Sequence, residues 1–73
     1  MKAALPYSHL GAAYGISGQA VRQLAIRHGI GRETLQQPDE LLVVLLDRGN
    51  RSLLRTRLTD PATRNEIASQ IQA

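Results

Sequence analysis

The hydrophobic positions fall into groups separated by prolines and glycines, and each group has its own period. Leu10, Ala13 and Tyr14 stand at i, i+3 and i+4, the spacing that gathers side chains on one face of a helix. Ser8 ahead of them is the predicted N-cap, and Gly15 behind them can take the positive φ that ends a helix. Ile16 follows as a predicted buried linker. Ser17 is the predicted cap of a second helix, with an apolar face at Val21, Leu24 and Ala25 and the stems of Arg27 and His28 beside it. Gly29 and Gly31 stop that helix. Residues 8–28 are thus predicted as two helices around a tight turn, after a short, loose lead-in over residues 1–6.

The next group is ambiguous by pattern. Residues 40–46 are apolar on both parities, and Asp47-Arg48-Gly49-Asn50 is a strong turn signal. After the turn, Leu54, Thr56 and Leu58 alternate with Arg55 and Arg57, the period of a half-buried strand. This predicts a two-stranded hairpin over 39–58. The competing reading is a leucine-rich helix capped by Asp39 and ended by Gly49; leucine favours the helix, whereas the valines and the alternation favour strands. Asp60-Pro61 then reads as a cap followed by proline at the first helical position. Ile67, Ala68 and Ile71 form a thin stripe, so residues 60–73 are predicted as a marginal helix that docks, or a flexible tail.

Composition narrows the class. With 73 residues and 8.0 kDa there is room for one small domain, residues 1–73, and no second core. Cysteine, phenylalanine and tryptophan are absent, so the core must come from Leu, Ile, Val and Ala, without disulfides. The longest apolar run, residues 41–46, is far too short to span a bilayer, and a soluble cytoplasmic protein is expected. A deep water-excluding pocket would compete with the core for the same few side chains, so the chain is read as a binding protein and not an enzyme. No cofactor is implied. His9 and His28 lack ligand spacing, so no metal is expected, and Gly29-Ile30-Gly31 lacks the strand and third glycine of a phosphate loop.

Charge is unevenly spread. The net charge is +3, and eight of the nine basic residues are arginine. Residues 1–32 carry Lys2, Arg22, Arg27 and Arg32 with no acid, whereas residues 33–73 carry six acids against five arginines. A basic first half suggests a polyanion or an acidic protein surface as partner.

The segment from Ser8 to Leu24 carries the most specific signal. A small residue, Gly11, stands four places before the turn glycine, Gly15; an apolar residue, Ile16, follows it; and Val21 and Leu24 occupy the inward positions of the second helix. Two helices crossing steeply after a short turn need a small residue at closest approach, a glycine where the backbone reverses and apolar anchors facing inward. In these residues the chain resembles the helix-turn-helix of phage Cro-type regulators. The resemblance implies an α+β fold, with a helix-turn-helix followed by a two-stranded hairpin and a short C-terminal helix or tail; all-α is the alternative. It also implies that Ser17, Gln19, Arg22, Gln23 and Arg27 face outward, with Arg48, Arg51, Arg55 and Arg57 on the hairpin. Gln and Arg suit adenine and guanine edges, and Ser suits phosphate. Cro-type domains carry a helix before this motif, and here only residues 1–6 precede it. Either the C-terminal helix fills that place or the module is pared down.

In length, basic first half and reduced helix-turn-helix, the chain also resembles small phage-encoded inhibitors of host RNA polymerase, such as lytic phages of plant-pathogenic bacteria encode. That resemblance implies contact with the large catalytic subunits, β and β′, and loss of transcription initiation in the host cytoplasm. Double-stranded DNA, bound as a Cro-like repressor binds it, is the other partner implied.

Overall fold

A computed structural model of the chain describes residues 5–49 and 51–72. Within them the chain forms α1 (Tyr7–Tyr14), α2 (Gly18–His28), α3 (Arg32–Leu35), α4 (Pro38–Asp47), α5 (Leu53–Thr59) and α6 (Pro61–Gln72). There is no strand among the described residues, so the fold is all-α, and the predicted hairpin over 39–58 is instead the helices α4 and α5.

The reason lies in a spacing of four. Leu41 and Leu45, and again Leu54 and Leu58, are buried pairs at i and i+4. That separation puts two side chains on one face of a helix and also on one face of a strand. Thr56 separates the two: a strand would turn it inward with Leu54 and Leu58, but it is exposed. Leucine's helix propensity and Pro38 at the first helical position complete the choice. The turn signal at 47–49 is a helix end, with Gly49 at φ 67°, and Asn50 lies outside the described residues. Gln37 caps α4 in extended conformation; Asp39 sits inside the first turn, where its carboxylate meets Arg64 Nε at 2.8 Å.

At the N-terminal end, Pro6 and not Ser8 is the N-cap, so α1 begins at Tyr7, two residues earlier than a Ser8 cap would allow. Pro6 is extended, and its carbonyl accepts from the His9 and Leu10 amides at 3.1 and 3.2 Å. Leu5 is tied down as well, its amide donating to Gln36 Oε1 at 2.7 Å. The short α3 had no periodic signal, being a single turn between Gly31 and Gln36. Its Leu35 is nevertheless fully buried, and the Arg32 guanidinium lies over the Tyr7 ring, 4.9 Å from its centroid.

The core joins all six helices: Leu10, Ala13 and Tyr14 from α1, Val21 and Ala25 from α2, Leu35, then Leu41, Leu45, Leu54 and Leu58, and Ile67 and Ile71 from α6. Residues 61–72 are a docked helix, packed on α1, α5 and α4. Asp60 starts it by accepting from the Thr63 amide at 3.3 Å and hydroxyl at 2.6 Å, bonds that hold its carboxyl below the usual range. Thus α6 covers α1.

Candidate partner-binding face

The corner between α1 and α2 is set by backbone approach. A β-carbon on Gly11 would lie 2.6 Å from the Ile16 carbonyl oxygen and 2.9 Å from the Gly18 nitrogen, closer than real β-carbons approach. Only hydrogen fits there. Gly15 sits at φ 76°, in the left-handed region where glycine has no steric penalty. The Ile16 amide then donates to the Gly11 carbonyl at 2.9 Å and the Gly15 amide to the Ala12 carbonyl at 3.3 Å, which closes α1 with two of its orphan carbonyls satisfied.

Two long-range bonds brace this corner. Arg57 Nη1, from α5, donates to the Tyr14 carbonyl at 2.8 Å, against the open side of Gly15. The Tyr14 hydroxyl donates to the Leu35 carbonyl in the interior, and burial pushes the phenol well above its ordinary pKa. Both ends of Tyr14 therefore anchor α1 to the rest of the fold.

From this corner α2 projects with Ser17 as its cap, the hydroxyl oxygen accepting from the Ala20 amide at 3.0 Å. Val21, Ala25 and His28 face inward, while Gln19, Arg22, Gln23, Ile26 and Arg27 are exposed. These five occupy one continuous outer face, at i, i+3, i+4, i+7 and i+8. It carries two cations, two amides and no carboxylate. Ile26 is 66% exposed in its midst, an apolar contact the sequence reading had not singled out. At the C-terminal end, His28 is buried; desolvation, then the charges of Arg48 and Arg27, hold its pKa below the usual imidazole range.

The structure divides the nine residues picked from the sequence. Ser17, Gln19, Arg22, Gln23 and Arg27 belong to α2 and its cap, and all are exposed. Arg48 is exposed at the end of α4, with its charge felt at His28. Arg51 is exposed ahead of α5. Arg55 is half-buried, and its Nε is buried without a hydrogen-bond partner. Arg57 turns back onto the Tyr14 carbonyl and supports the corner. With no hairpin, the four later arginines do not line up as a ribbon: on a helix, alternate residues point 200° apart. Among the described residues no group of three or more His, Asp or Glu could hold a metal ion, and no helix is long and apolar enough to cross a membrane.

No protein-family model matches this chain, and no curated protein or solved structure is significantly similar to it.

Proposed function

We propose that this protein is a non-enzymatic, phage-type transcription regulator that binds host bacterial RNA polymerase, at the large β and β′ subunits, and suppresses initiation through the outer face of α2. The observation that carries the reading is the make-up of that face: Ile26 exposed at its centre, with Gln19, Arg22, Gln23 and Arg27 around it. An apolar centre rimmed by arginine and amide groups is the usual anatomy of a protein–protein contact. Cation supply points the same way. Arg57 and Arg64 are engaged with backbone carbonyls, and Arg64 also with Asp39. That leaves Arg22, Arg27, Arg32, Arg48 and Arg51 exposed among the described residues, with Arg32 already over the Tyr7 ring, fewer than the roughly six to ten phosphate contacts of strongly salt-dependent DNA binders. The likeness to small phage regulators supplies polymerase as the partner.

The test mixes the purified protein with polymerase core and follows co-migration and promoter-dependent transcript yield. A stoichiometric complex and loss of initiation are expected, both weakened by Ile26→Ala and by Arg22→Ala. Absence of a complex at micromolar protein ends the proposal.

A second reading, a Cro-like DNA-binding repressor, draws on one specific feature: Gln19, Arg22 and Gln23 share the N-terminal half of a capped, outward-facing helix, where base-reading side chains stand in helix-turn-helix proteins. In that case binding to duplex DNA falls steeply with salt, Gln19→Ala and Arg22→Ala lose sequence preference, and Ile26→Ala changes little.

A further inference from the structure

Among the described residues, three of the four large, exposed hydrophobic side chains stand away from α2: Val43 and Leu46 on α4, and Leu53 at the start of α5, between 52% and 73% exposed. Leu41 and Leu45 turn α4's other side into the core, so its outer face consists of Asp39, Glu40, Val43, Leu46 and Asp47. These five residues are acidic or apolar, and Arg64 pairs with the first of them, Asp39. The outer face of α2 is their complement: cationic and amide-bearing, with Ile26 in the middle and no carboxylate. No ion pair within the chain joins Arg22, Arg27, Glu40 or Asp47 among the described residues, and only Asp39 is already paired, with Arg64.

We infer that the α4 face is a docking surface for the α2 face of a second copy of this chain. With a rise of about 1.5 Å per residue, Arg22 and Arg27 lie about 7.5 Å apart along α2, and Glu40 and Asp47 about 10.5 Å apart along α4. At about 100° per residue, Glu40 and Asp47 share one edge of the α4 face, whereas Arg22 and Arg27 stand on opposite edges of the α2 face with Ile26 between them. Laid antiparallel with Ile26 near Val43, the edge of α2 that carries Arg27 faces the Glu40 and Asp47 edge of α4, and Arg22 lies over the Asp39 and Leu46 edge. That direction also brings the positive N-terminal end of each helix near the negative C-terminal end of the other. Pairing α4 with α4 of a second copy would instead set Glu40 against Asp47, like against like. The contact joins two different surfaces, so it is heterologous. It is also smaller than a standard interface, so it forms at high protein concentration and weakens with salt. While it holds, the outer face of α2 is covered. The inference rests on the two faces alone and stands or falls apart from the identity of any other α2 partner.

The test is sedimentation velocity from about 10 µM to about 1 mM, the range in which weak interfaces dissociate. The average mass of the wild-type protein is expected to climb with concentration and to fall back in high salt. Arg22→Glu with Arg27→Glu is expected to stay monomeric, as is Glu40→Arg with Asp47→Arg, each keeping its helical circular dichroism because all four positions are exposed. Mixing the two charge-reversed proteins restores opposite charges between position 27 of each copy and positions 40 and 47 of the unlike copy, so association is expected to return in the mixture alone. A flat mass for the wild type overturns the inference, and so does a mixture that stays monomeric. Continued association of Val43→Ser at wild-type strength overturns it too, since that places the contact elsewhere.

Discussion

The α1–α2 corner and the α4–α5 pair are each two short helices joined by a short link, yet different forces hold them. At the corner, geometry is imposed by backbone: Gly11 lets two helices touch, Gly15 reverses the chain, and Ser17 starts the next helix. Between α4 and α5, Gly49 ends the first helix and Ser52 caps the second, but among the described residues no close backbone approach fixes their angle. Leu41, Leu45, Leu54 and Leu58 bury against α6 and the remaining core, and the pair takes its place from that burial. The first region is specified locally and the second by what surrounds it.

Breaking the leucine-held region has the largest expected effect. Leu45→Ala removes a fully buried side chain and is expected to cost about 3 kcal/mol. That is a large part of the stability of so small a domain, and urea denaturation measures it. At the corner, Gly11→Ala gains about 1 kcal/mol of helix propensity but drives a methyl group into backbone that cannot rotate away. Overpacking of about 1–3 kcal/mol outweighs the gain. A net loss is expected, with amide chemical-shift changes concentrated at residues 11–21; a stabilised Gly11→Ala protein would show that the corner is not tight. Arg57→Ala should cost about 1 kcal/mol by freeing the Tyr14 carbonyl. It should also speed hydrogen exchange at Gly15 and Ile16 more than at α4, which a solvated binding residue would not do.

Caps give a smaller contrast. Ser17→Ala and Ser52→Ala each remove a side-chain bond to the first turn of a helix, at 3.0 and 3.4 Å respectively. The expected cost is about 1 kcal/mol for the first and less for the longer bond. The smallest effect comes from pH. The folded state holds His28 below its ordinary pKa, so the unfolded chain takes up the proton more readily. Stability is then full above the ordinary histidine pKa and declines as pH falls through it to the folded value. Melting temperature is expected to drop modestly between about pH 7.5 and about pH 5, and His28→Gln should flatten that slope. Asp60 titrates below this window and does not contribute to it.

The corner was legible because its signals are local. A small residue four places before a turn glycine, an apolar residue after it and a serine cap each concern neighbours along the chain, and each does in the fold what its chemistry suggests. The outward set on α2 follows from the same periodicity, and Ile26, off the stripe of Val21, Leu24 and Ala25, is the apolar member of that face. Residues 39–58 carry a strand-like pattern because leucines four apart satisfy both periods, and the turn-like 47–49 also ends a helix. Ser52 was a cap signal in plain sight, matched to the helix that follows it. Arg57 remains exposed, but its guanidinium bonds the Tyr14 carbonyl, a contact 43 residues away in the chain that no local pattern announces.

From the chain alone came the helix ends at Gly15 and Gly29, the caps at Ser17 and Asp60, the basic first half and the lack of cysteine. These depend on the steric and charge properties of individual residues, which act over a few positions. Tertiary packing alone decided that α4 and α5 are helices, that the last helix covers α1, that Tyr14 bonds to Leu35, and that Arg57 braces the corner while Arg22 and Arg27 stay outside. Such outcomes turn on which surfaces are left to bury once the local pieces have formed, and a leucine presents the same side chain to a strand's partner or to a helix's.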